Sequence, residues 1–479
     1  MKKSLFIGLL TYFLLACSFA PKIQRPVMPV PQQYKETAHW KKARGTEALK
    51  EDTRWWIMYG DPVLDALEAR VDCANQNLQV AFARYQKARA LAEVASSALV
   101  PSVYGIGNAD RQKTSRNAPN PTRHSTFGDL WLGLHLNYEL DLWGRVRNSV
   151  AASASNAQAT AADLAAVSLS LHAELALRYF ALRGNEALQQ VLDATVKAYQ
   201  RALYIVKKRH EGGASPIADV DEAITLLENA KTRATQLRLE HAQLEHAIAV
   251  LVGEIPANFT MPPAKVRMKP VAIAQGLPSA LLERRPDIIA AEQRVQSANY
   301  QIGVATAAFY PQITLTGLLG FESASLGNLI SKPSLFWSIG PPTALAIIKP
   351  LTNLMLFDGG NLQGLLNKAK AGYYETVAGY RQTVLTAFQE VEDSLVAIYR
   401  LDQENRSQTA ATAAAKRALK QALDRYYGGI TNYLDVIVNE NIALESEVQS
   451  VTILTRRQLA SVQLIKALGG GWSCHNKCV

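Results

Sequence analysis

The sequence has little of what enzymes use to bind metals or nucleotides. Its 479 residues include four cysteines and eight histidines, and the histidines are scattered, with no pair at metal-ligand spacing. A glycine-rich phosphate loop is also missing. These absences argue against a metal- or nucleotide-dependent enzyme, and we expect no catalytic residues, no bound metal and no dissociable cofactor.

The positive charge is not concentrated in one place either. A formal charge of +10 and a pI of about 9.3 would by themselves suit a nucleic-acid-binding protein. However, lysine and arginine are spread among glutamate and aspartate, with no long basic run. Nucleic acid is therefore not an expected partner.

The first residues predict an export signal followed by a lipid anchor. Two lysines precede an apolar run from Leu5 to Leu15, which is too short to span a bilayer. Residues 14–17, Leu-Leu-Ala-Cys, are similar to a lipobox, in which the cysteine thiol accepts a diacylglycerol and becomes the new N-terminus. We expect a covalent lipid on Cys17, and Ser18 in place of aspartate favours the outer membrane. The alternative is a plain signal peptide with a cysteine there by chance.

The other three cysteines have different expected roles. Cys73 lies in a helical pattern and is expected to be a small buried apolar group. Cys474 and Cys478 lie in a short tail with His475, where a metal would find only three ligands. A small disulfide loop is the favoured alternative in an oxidising compartment.

The chain repeats itself with a long period. At an offset of 210 residues, basic, proline and glycine positions recur in pairs: Arg84 with Arg294, Pro101 with Pro311 and Gly107 with Gly317. At an offset of 216, further pairs recur: Arg209 with Arg425, Gly213 with Gly429 and Asp219 with Asp435. Because the order is the same in both halves, we interpret the chain as two copies of one unit.

Each copy has the same order of predicted elements: a helix, a two-stranded segment, a very long helix, a Gly-Gly break and another long helix. The predicted helices cover 62–99 and 286–309, 145–210 and 361–427, and 216–252 and 432–468. At ~1.5 Å per residue, the helix over 145–210 is about 100 Å long. Its apolar residues recur at coiled-coil spacing, and the Gly-Gly breaks suit tight helix-helix turns.

The strands give the strongest hint of a membrane. Apolar and polar residues alternate from Leu130 to Leu140, a length that matches the ~9–11 residues of a tilted membrane strand. A soluble β-sandwich strand would show the same alternation. A second hairpin begins with alternation from Ile313 to Phe321, but prolines interrupt the region of its return strand, so the position of the fourth strand around 338–356 is left open.

Four strands per chain cannot close a membrane barrel, because the smallest such barrels use eight. Open sheet edges do not survive in lipid, so several chains must pool their strands. The predicted fold class is therefore mixed α and β, with a long helical coiled-coil part and a transmembrane β-barrel that forms only in an oligomer.

The chain resembles the TolC family of outer-membrane factors, in the lipoprotein branch that serves resistance-nodulation-division pumps. Collinear motifs over about residues 50–472 carry the resemblance: Trp55-Trp56, Gly60-Asp61-Pro62, Asn77, residues 139–145 (ELDLWGR), 284–288 (RRPDI), 356–360 (LFDGG) and 466–472 (KALGGGW). The departures are about nine extra residues between Trp337 and Phe357, and Asn361 where the family usually has arginine.

The resemblance implies a homotrimer whose helices form a tunnel across the periplasm beneath a 12-stranded barrel. It implies passive conduction of small molecules as the channel component of a tripartite efflux system, with a periplasmic adaptor and an inner-membrane pump as partners. The expected tips, which would meet the adaptor, are the turns at Gly212, Gly213 and Ala214 and at Gly428, Gly429 and Ile430.

The family's gate is only partly matched. In this branch the helix after the second Gly-Gly turn carries a leucine, then an aspartate four positions on and an arginine three further. The matching residues are Leu434, Val438 and Asn441, so only an apolar ring of Leu434 is expected. Asp435 and Glu440 are weaker candidates for ionic locks, and the alternative for Leu434 is packing inside the coiled coil.

The predicted organisation is a signal peptide over 1–16, a lipid-anchored extension over 17–61, a first repeat over 62–258, a linker over 259–285, a second repeat over 286–472 and a tail over 473–479. Two other functions are considered. A periplasmic adaptor would have one helical hairpin and no whole-length duplication, and a structural envelope coiled coil would lack the paired strand segments.

Overall fold

The computed structural model describes residues 18–22, 26, 28–29, 31, 33–36, 54–115, 126–262, 282–340 and 358–470. A short 3-10 helix, Trp55–Tyr59, precedes the longer elements. These are α1 (Pro62–Ala74), α2 (Gln76–Ser97), β1 (Ser102–Lys113), β2 (Thr126–Leu140), α3 (Arg145–Glu211), α4 (Ile217–Leu251), α5 (Pro286–Ala307), β3 (Ile313–Ser323), β4 (Leu335–Gly340), α6 (Asn361–Tyr427) and α7 (Tyr433–Ala467). No helix in these described ranges is both long enough and apolar enough to cross a membrane.

The elements recur with matched lengths in the two halves of the chain. Helices α3 and α6 each have 67 residues, α4 and α7 each have 35, and α2 and α5 each have 22. Equivalent glycines close the two halves, since Gly253 and Gly469 both have positive φ. A Cβ at either position would lie within 2.5 Å of a backbone oxygen, that of Ala74 or of Arg284. Glycine is therefore required at both.

The predicted first helix over 62–99 is wrong in one respect, because it is two helices. Asn75 is extended (φ −70°, ψ 120°) between α1 and α2. Its buried side chain donates to the Leu251 carbonyl at 2.8 Å and accepts from the Leu78 amide at 3.0 Å. The break is therefore held by a residue at the end of α4, far away in sequence.

Cys73 is exposed, which corrects its expected burial. The buried face of α1 consists of Leu64, Leu67, Glu68 and Val71, at the three- and four-residue steps of a helix stripe. Cys73 lies off that stripe, and its helical context alone did not reveal this.

The described residues fall into two compact units. The first draws on Met1–Val27, Arg84–Thr160 and Ala290–Arg381, and the second on Met28–Ala83, Ala161–Ile289 and Gln382–Val479. Each unit takes segments from both sequence repeats. The compact units therefore do not coincide with the repeats, and the predicted domain boundaries stay a prediction.

The first unit contains an antiparallel sheet in the order β1-β2-β3-β4. The register pairs Leu134 with Leu319 and Leu319 with Trp337, so these side chains share one face. That face is apolar and exposed along all four strands: Val103, Leu132, Leu134, Leu319, Leu335, Trp337 and Ile339. The last two side chains are 70% and 71% exposed. A continuous exposed apolar face marks a surface that meets lipid or another apolar partner.

The two repeats join within this sheet, where β2 pairs with β3. Gly133 lies opposite Gly320 in the register. A Cβ at Gly133 would lie 2.7 Å from the Leu319 carbonyl oxygen, and one at Gly320 would lie 2.5 Å from that of Leu132. The glycine pair therefore allows an approach that no side chain would permit.

In the second unit, a buried ionisable cluster attaches α1 to α3. His172 of α3 contacts the Glu68 carboxylate through Nδ1 at 2.7 Å and the Asp72 carboxylate through Nε2 at 3.0 Å, and Trp56 stacks on its ring. Burial raises the pKa of Glu68 to about 7. Burial alone would lower the pKa of His172, but its bonds to Asp72 and Glu68 raise it to about 9. The imidazolium is thus the favoured form in this core.

The motif at residues 284–288 marks a helix start, as its proline predicts, since α5 begins at Pro286. Buried Arg285 donates to Asp287 at 2.6 Å and to Glu390 of α6 at 2.6 Å. It also donates to the Ala467 carbonyl, at the end of α7, at 3.2 Å. One arginine therefore joins the start of α5, the middle of α6 and the end of α7.

Candidate gate and partner-binding tips

The two Gly-Gly turns have the same geometry. Gly213 and Gly429 adopt φ of 74° and 73°, the left-handed conformation that ends a helix. The Ala214 amide donates to the Arg209 carbonyl at 2.8 Å, and the Ile430 amide donates to the Arg425 carbonyl at 2.9 Å. These equivalent bonds close α3 and α6, and both turns leave their backbone exposed.

The helices that leave the turns share one side-chain contact, although Asn432 caps α7 and Pro216 gives α4 no side-chain cap. The Ser215 hydroxyl donates to Asp219 at the start of α4, and the Thr431 hydroxyl donates to Asp435 at 3.2 Å at the start of α7. Asp435 also lies 3.8 Å from an Arg425 nitrogen. The candidate lock Asp435 thus has partners on its own hairpin.

Near the turns, α3, α4, α6 and α7 share one apolar core. Its buried members are Val206, Val220, Ala223, Ala422, Tyr426, Tyr433, Val436 and Ile437. The rings of Tyr426 and Tyr433 have centroids 5.4 Å apart, and the Arg209 guanidinium lies over Tyr426 at 4.5 Å. The two hairpins, α3–α4 and α6–α7, are therefore packed together at this end.

A second apolar stripe on α7 has no cover within the described part of the chain. Leu434, Val438 and Ile442 follow one another at four-residue steps and are 51%, 49% and 52% exposed. We call them the α7 stripe. Leu434 thus lies outside the core of its own chain. The equivalent positions on α4, at the offset of 216, are Ala218, Glu222 and Leu226, so only the second hairpin carries a fully apolar stripe.

Glu440 lies on the opposite face of α7 and is 9% exposed. Burial raises the pKa of its carboxyl to about 7. Among the described residues, its Oε2 atom has no hydrogen-bond partner and no cation within ion-pair distance. The structure therefore places Leu434 and Glu440 on different faces, and the predicted ionic lock at Glu440 remains untested.

The N-terminal segment lies against aromatic side chains of the first unit. Phe19 stacks on Tyr310 at 4.6 Å, and Trp143 stacks on Tyr310 at 5.0 Å. The Asn299 amide donates to the Pro21 carbonyl at 2.8 Å. The predicted lipidation residue Cys17 lies outside the described residues, but the chain that follows it is held beside these rings.

The motif at residues 139–145 builds the exit from β2 into α3. Asp141 accepts the amides of Val146 at 3.0 Å and Arg147 at 2.8 Å, which caps the helix. Glu139 forms an ion pair with Arg145, and Trp143 Nε1 donates to the Pro311 carbonyl at 2.8 Å. The motif is thus structural, because each polar group fixes the strand-to-helix connection.

Within the described ranges, no group of three or more histidine, cysteine, aspartate or glutamate side chains could hold a metal ion. The features that remain for function are the exposed apolar sheet, the two tips and the α7 stripe.

Comparison with known proteins decides among the functions considered. A family model described as "Outer membrane efflux protein" matches residues 69–254 and 277–470. The chain belongs to the outer membrane efflux protein family. As a member, it is an outer-membrane channel component of a tripartite efflux system, and the predicted family is confirmed.

Individual relatives match along nearly the whole chain. Outer membrane protein OprJ of Pseudomonas aeruginosa is 31% identical over 95% of this chain and 93% of its own. The toluene efflux pump outer membrane protein TtgF of Pseudomonas putida is 31% identical over 97% and 96%. The cation efflux system protein CusC of Escherichia coli is 28% identical over 96% of each.

Solved structures confirm the predicted fold class. The Campylobacter jejuni CmeC outer membrane channel has a TM-score of 0.87 at 27% identity, over 96% of each chain. The outer-membrane channel OprN has a TM-score of 0.85 at 28% identity, over 95% of this chain and all of its own. Long helices with a small sheet are therefore the family architecture, and this chain has it.

Sequence reasoning named Leu434 but missed the rest of the α7 stripe. In the sequence, Val438 marks a departure from the family's gate, and Ile442 lies outside the family's gate positions. The signal was present, because three large apolar residues at four-residue steps define one helix face. The packing of Tyr426 against Tyr433 was also missed, since it joins the ends of two helices across a turn.

The gate is testable at Leu434. If copies of the α7 stripe face one another in the channel, their apolar side chains exclude water and ions. Leu434→Ser then raises single-channel conductance in planar bilayers several-fold. Leu239→Ser, at another exposed leucine on α4, is the matched control and leaves conductance unchanged. Equal conductance in wild type and a correctly assembled Leu434→Ser variant removes Leu434 from the gate.

Proposed function

We propose that three copies of this chain form a lipid-anchored, passive efflux conduit that docks on a periplasmic adaptor and an inner-membrane pump. The observation that carries the proposal is the exposed apolar face of the four-stranded sheet. Such a face suits the hydrocarbon of a bilayer. The proposal assigns no catalysis and no cofactor, only a covalent lipid on Cys17.

The oligomer follows from the sheet's edges. In the described strands, β1 pairs only with β2, and β4 pairs only with β3. Each edge therefore presents unpaired backbone groups, which are costly where no water can reach them. Joining β1 of one copy to β4 of the next removes every edge, and three copies give twelve strands. Exposed apolar residues on the helices that adjoin the edge strands, Leu91 and Val94 of α2 and Leu365 and Tyr374 of α6, extend the same contact.

Native mass spectrometry in detergent tests the oligomer, and we expect three copies. The reason is that a single copy exposes two sheet edges and an apolar face together. A control is the same preparation without detergent, which should aggregate. A stable monomer that stays dispersed without detergent would contradict the proposed channel.

The lipid anchor rests on the lipobox-like residues before Ser18 and on the docking of the residues after them. Two or more acyl chains anchor a protein stably, whereas one chain does so weakly. Labelled palmitate should enter the wild-type protein and be absent from Cys17→Ser, while Cys73→Ser keeps the label. Because a barrel can reach the membrane without a lipid, the label decides the question and localisation does not. Palmitate retained by Cys17→Ser would refute acylation at this residue.

The tips are proposed to meet the adaptor at Gly212, Gly213 and Ala214 and at Gly428, Gly429 and Ile430. A glycine turn leaves exposed backbone against which a partner can pack closely. Gly212 and Gly428 suit a test, because neither has positive φ, and a Cβ there meets its nearest atoms at 3.5 Å and 3.4 Å. Ile430 is 74% exposed and has no cover within the described chain.

We expect Gly428→Trp or Gly212→Trp to abolish most efflux in cells without lowering the amount of assembled channel. The added indole would keep the adaptor away from the turn while the turn itself remains. Gly327→Trp, in the connection between β3 and β4 where nothing lies within 4 Å, is the control and keeps efflux normal. Normal efflux in both tip variants would place the adaptor contact elsewhere.

The relatives' names differ in cargo, toluene for TtgF and cations for CusC. We propose that the conduit itself selects little and that the pump partner sets the substrate. This fits a site with an apolar stripe and no group of side chains among the described residues that could hold a metal ion.

A further inference from the structure

A single carboxyl group interrupts the apolar packing face of α7. The residues of that face follow the three- and four-residue steps of a coiled-coil stripe: Tyr433, Val436, Ile437, Glu440, Ala443 and Leu444. All of them are buried. Glu440 is the one charged residue among them, and it lies less than two turns after the aromatic contact at Tyr433.

The surroundings of Glu440 give its charge little compensation. Its neighbours include Tyr199 of α3 and Tyr433 of α7: burial raises the pKa of each phenol, and the Glu440 charge raises both further. Cations lie close by, but each has another contact. Arg233 of α4 pairs with Glu445 at 3.4 Å, and Arg209 of α3 lies over Tyr426 of α6.

The remaining titratable groups at this end belong to the turns. Asp219 pairs with Ser215 and Asp435 with Thr431, and Tyr427 of α6 is exposed. The cations of the turns, Arg425 and Lys208, pair with Asp435 and Glu211 and not with Glu440. A buried carboxylate with neither a hydrogen-bond partner at Oε2 nor a counter-ion is costly, whereas its neutral form is tolerated.

A groove next to Glu440 provides space in which the ionised carboxylate could be solvated. It has a volume of about 620 Å³ and is lined by residues of three helices, including Tyr199, Leu226, Arg233, Asn441 and Ile442. Asn441 and Ile442 follow Glu440 directly, so a small movement of α7 would bring the carboxylate into this space. The same movement would displace Ile442, which belongs to the α7 stripe.

We propose that Glu440 is a proton-controlled switch in the tip: its ionisation loosens the packing of α7 against α3 and so frees the α7 stripe to move. The proposal rests on the gate proposed above and adds its regulation. The first hairpin lacks the device, because the equivalent residue on α4 is Ile224.

The direction of the pH dependence follows from the packed state. Burial raises the pKa of Glu440 from 4.5 to about 7, so the packed form binds its proton more tightly than an open form does. Packing is therefore firmest below pH 4.5 and weakens as the pH rises through 7. Between pH 5.5 and 8, local opening of α7 should increase on the order of tenfold.

Hydrogen exchange measured by mass spectrometry on the full-length oligomer in detergent tests the switch. After division by the intrinsic chemical rates, exchange over residues 433–444 should rise about tenfold from pH 5.5 to 8. Exchange over 217–228 of α4 should stay flat and serves as an internal control. Glu440→Gln, which cannot ionise, should make α7 flat as well, while Glu445→Gln on the same helix keeps the rise.

A flat wild-type profile, or a rise that persists in Glu440→Gln, overturns the proposal. Glu440→Met is a second neutral variant with the same expected flat profile. If neither neutral variant assembles while the wild type does, the carboxylate is needed for folding and the switch is also refuted. Hydrogen exchange tests only the switch, and the conductance of Leu434→Ser tests only the gate. Either proposal can therefore fail without the other.

Discussion

Backbone N–H and C=O groups at a strand edge need partners, and a bilayer provides none. The sheet of this chain has four strands, an apolar exposed face and two edges, at β1 and β4. The rest of the architecture depends on this constraint. One chain leaves the outer backbone groups of its two edge strands unpaired. It must therefore assemble with other copies in order to insert into a membrane. Each repeat then has to supply its hairpin at the correct register, and the Gly133–Gly320 contact sets that register where the repeats meet.

The duplicated helices solve a different problem, which is to place two similar hairpin turns at one end of a packed unit. Helices α3 and α6 have 67 residues each, and α4 and α7 have 35 each. The two turns therefore lie at equivalent positions of their hairpins. The turn bonds are also equal, at 2.8 Å and 2.9 Å. Since the scaffold is the same, any functional difference between the hairpins must come from side chains. The stripe of Leu434, Val438 and Ile442 is such a difference.

Much of this fold could be predicted from the sequence because its strongest signals are local. The helix predicted over 361–427 agrees with α6, since a long run of coiled-coil spacing between a Gly-Gly start and a Gly-Gly stop leaves little choice. The break at Asn75 could not be predicted, because its partner is the Leu251 carbonyl. The position of the fourth strand could not be predicted either: its described part, Leu335–Gly340, precedes the prolines, and residues 341–357 lie outside the described ranges.

The candidate site was less predictable than the fold, for a physical reason. Family spacing identified Leu434, but exposure depends on which of two apolar faces of α7 packs inward. The sequence offers both a face with Tyr433 and Val436 and a face with Leu434 and Val438. The packed face contains the carboxyl of Glu440, which by composition alone is the worse choice for a core. Contacts from other helices favour the Tyr433 face: the Tyr433 ring packs on Tyr426 of α6, and Arg209 of α3 lies over Tyr426.

A buried carboxyl lowers the stability of the core around it. A gate that has to open benefits from this lower local stability. Helices that must move belong to the less stable parts of a protein. In α4 the corresponding residue is Ile224, which is partly exposed and leaves the α4 packing face free of charge. We therefore expect the first hairpin to be the firmer of the two, although the two turns have the same geometry. The proposed asymmetry keeps the α3–α4 hairpin rigid and lets the α6–α7 hairpin move. The proposed switch confines motion to the helix that carries the α7 stripe, because the first hairpin has no buried carboxyl at the equivalent position.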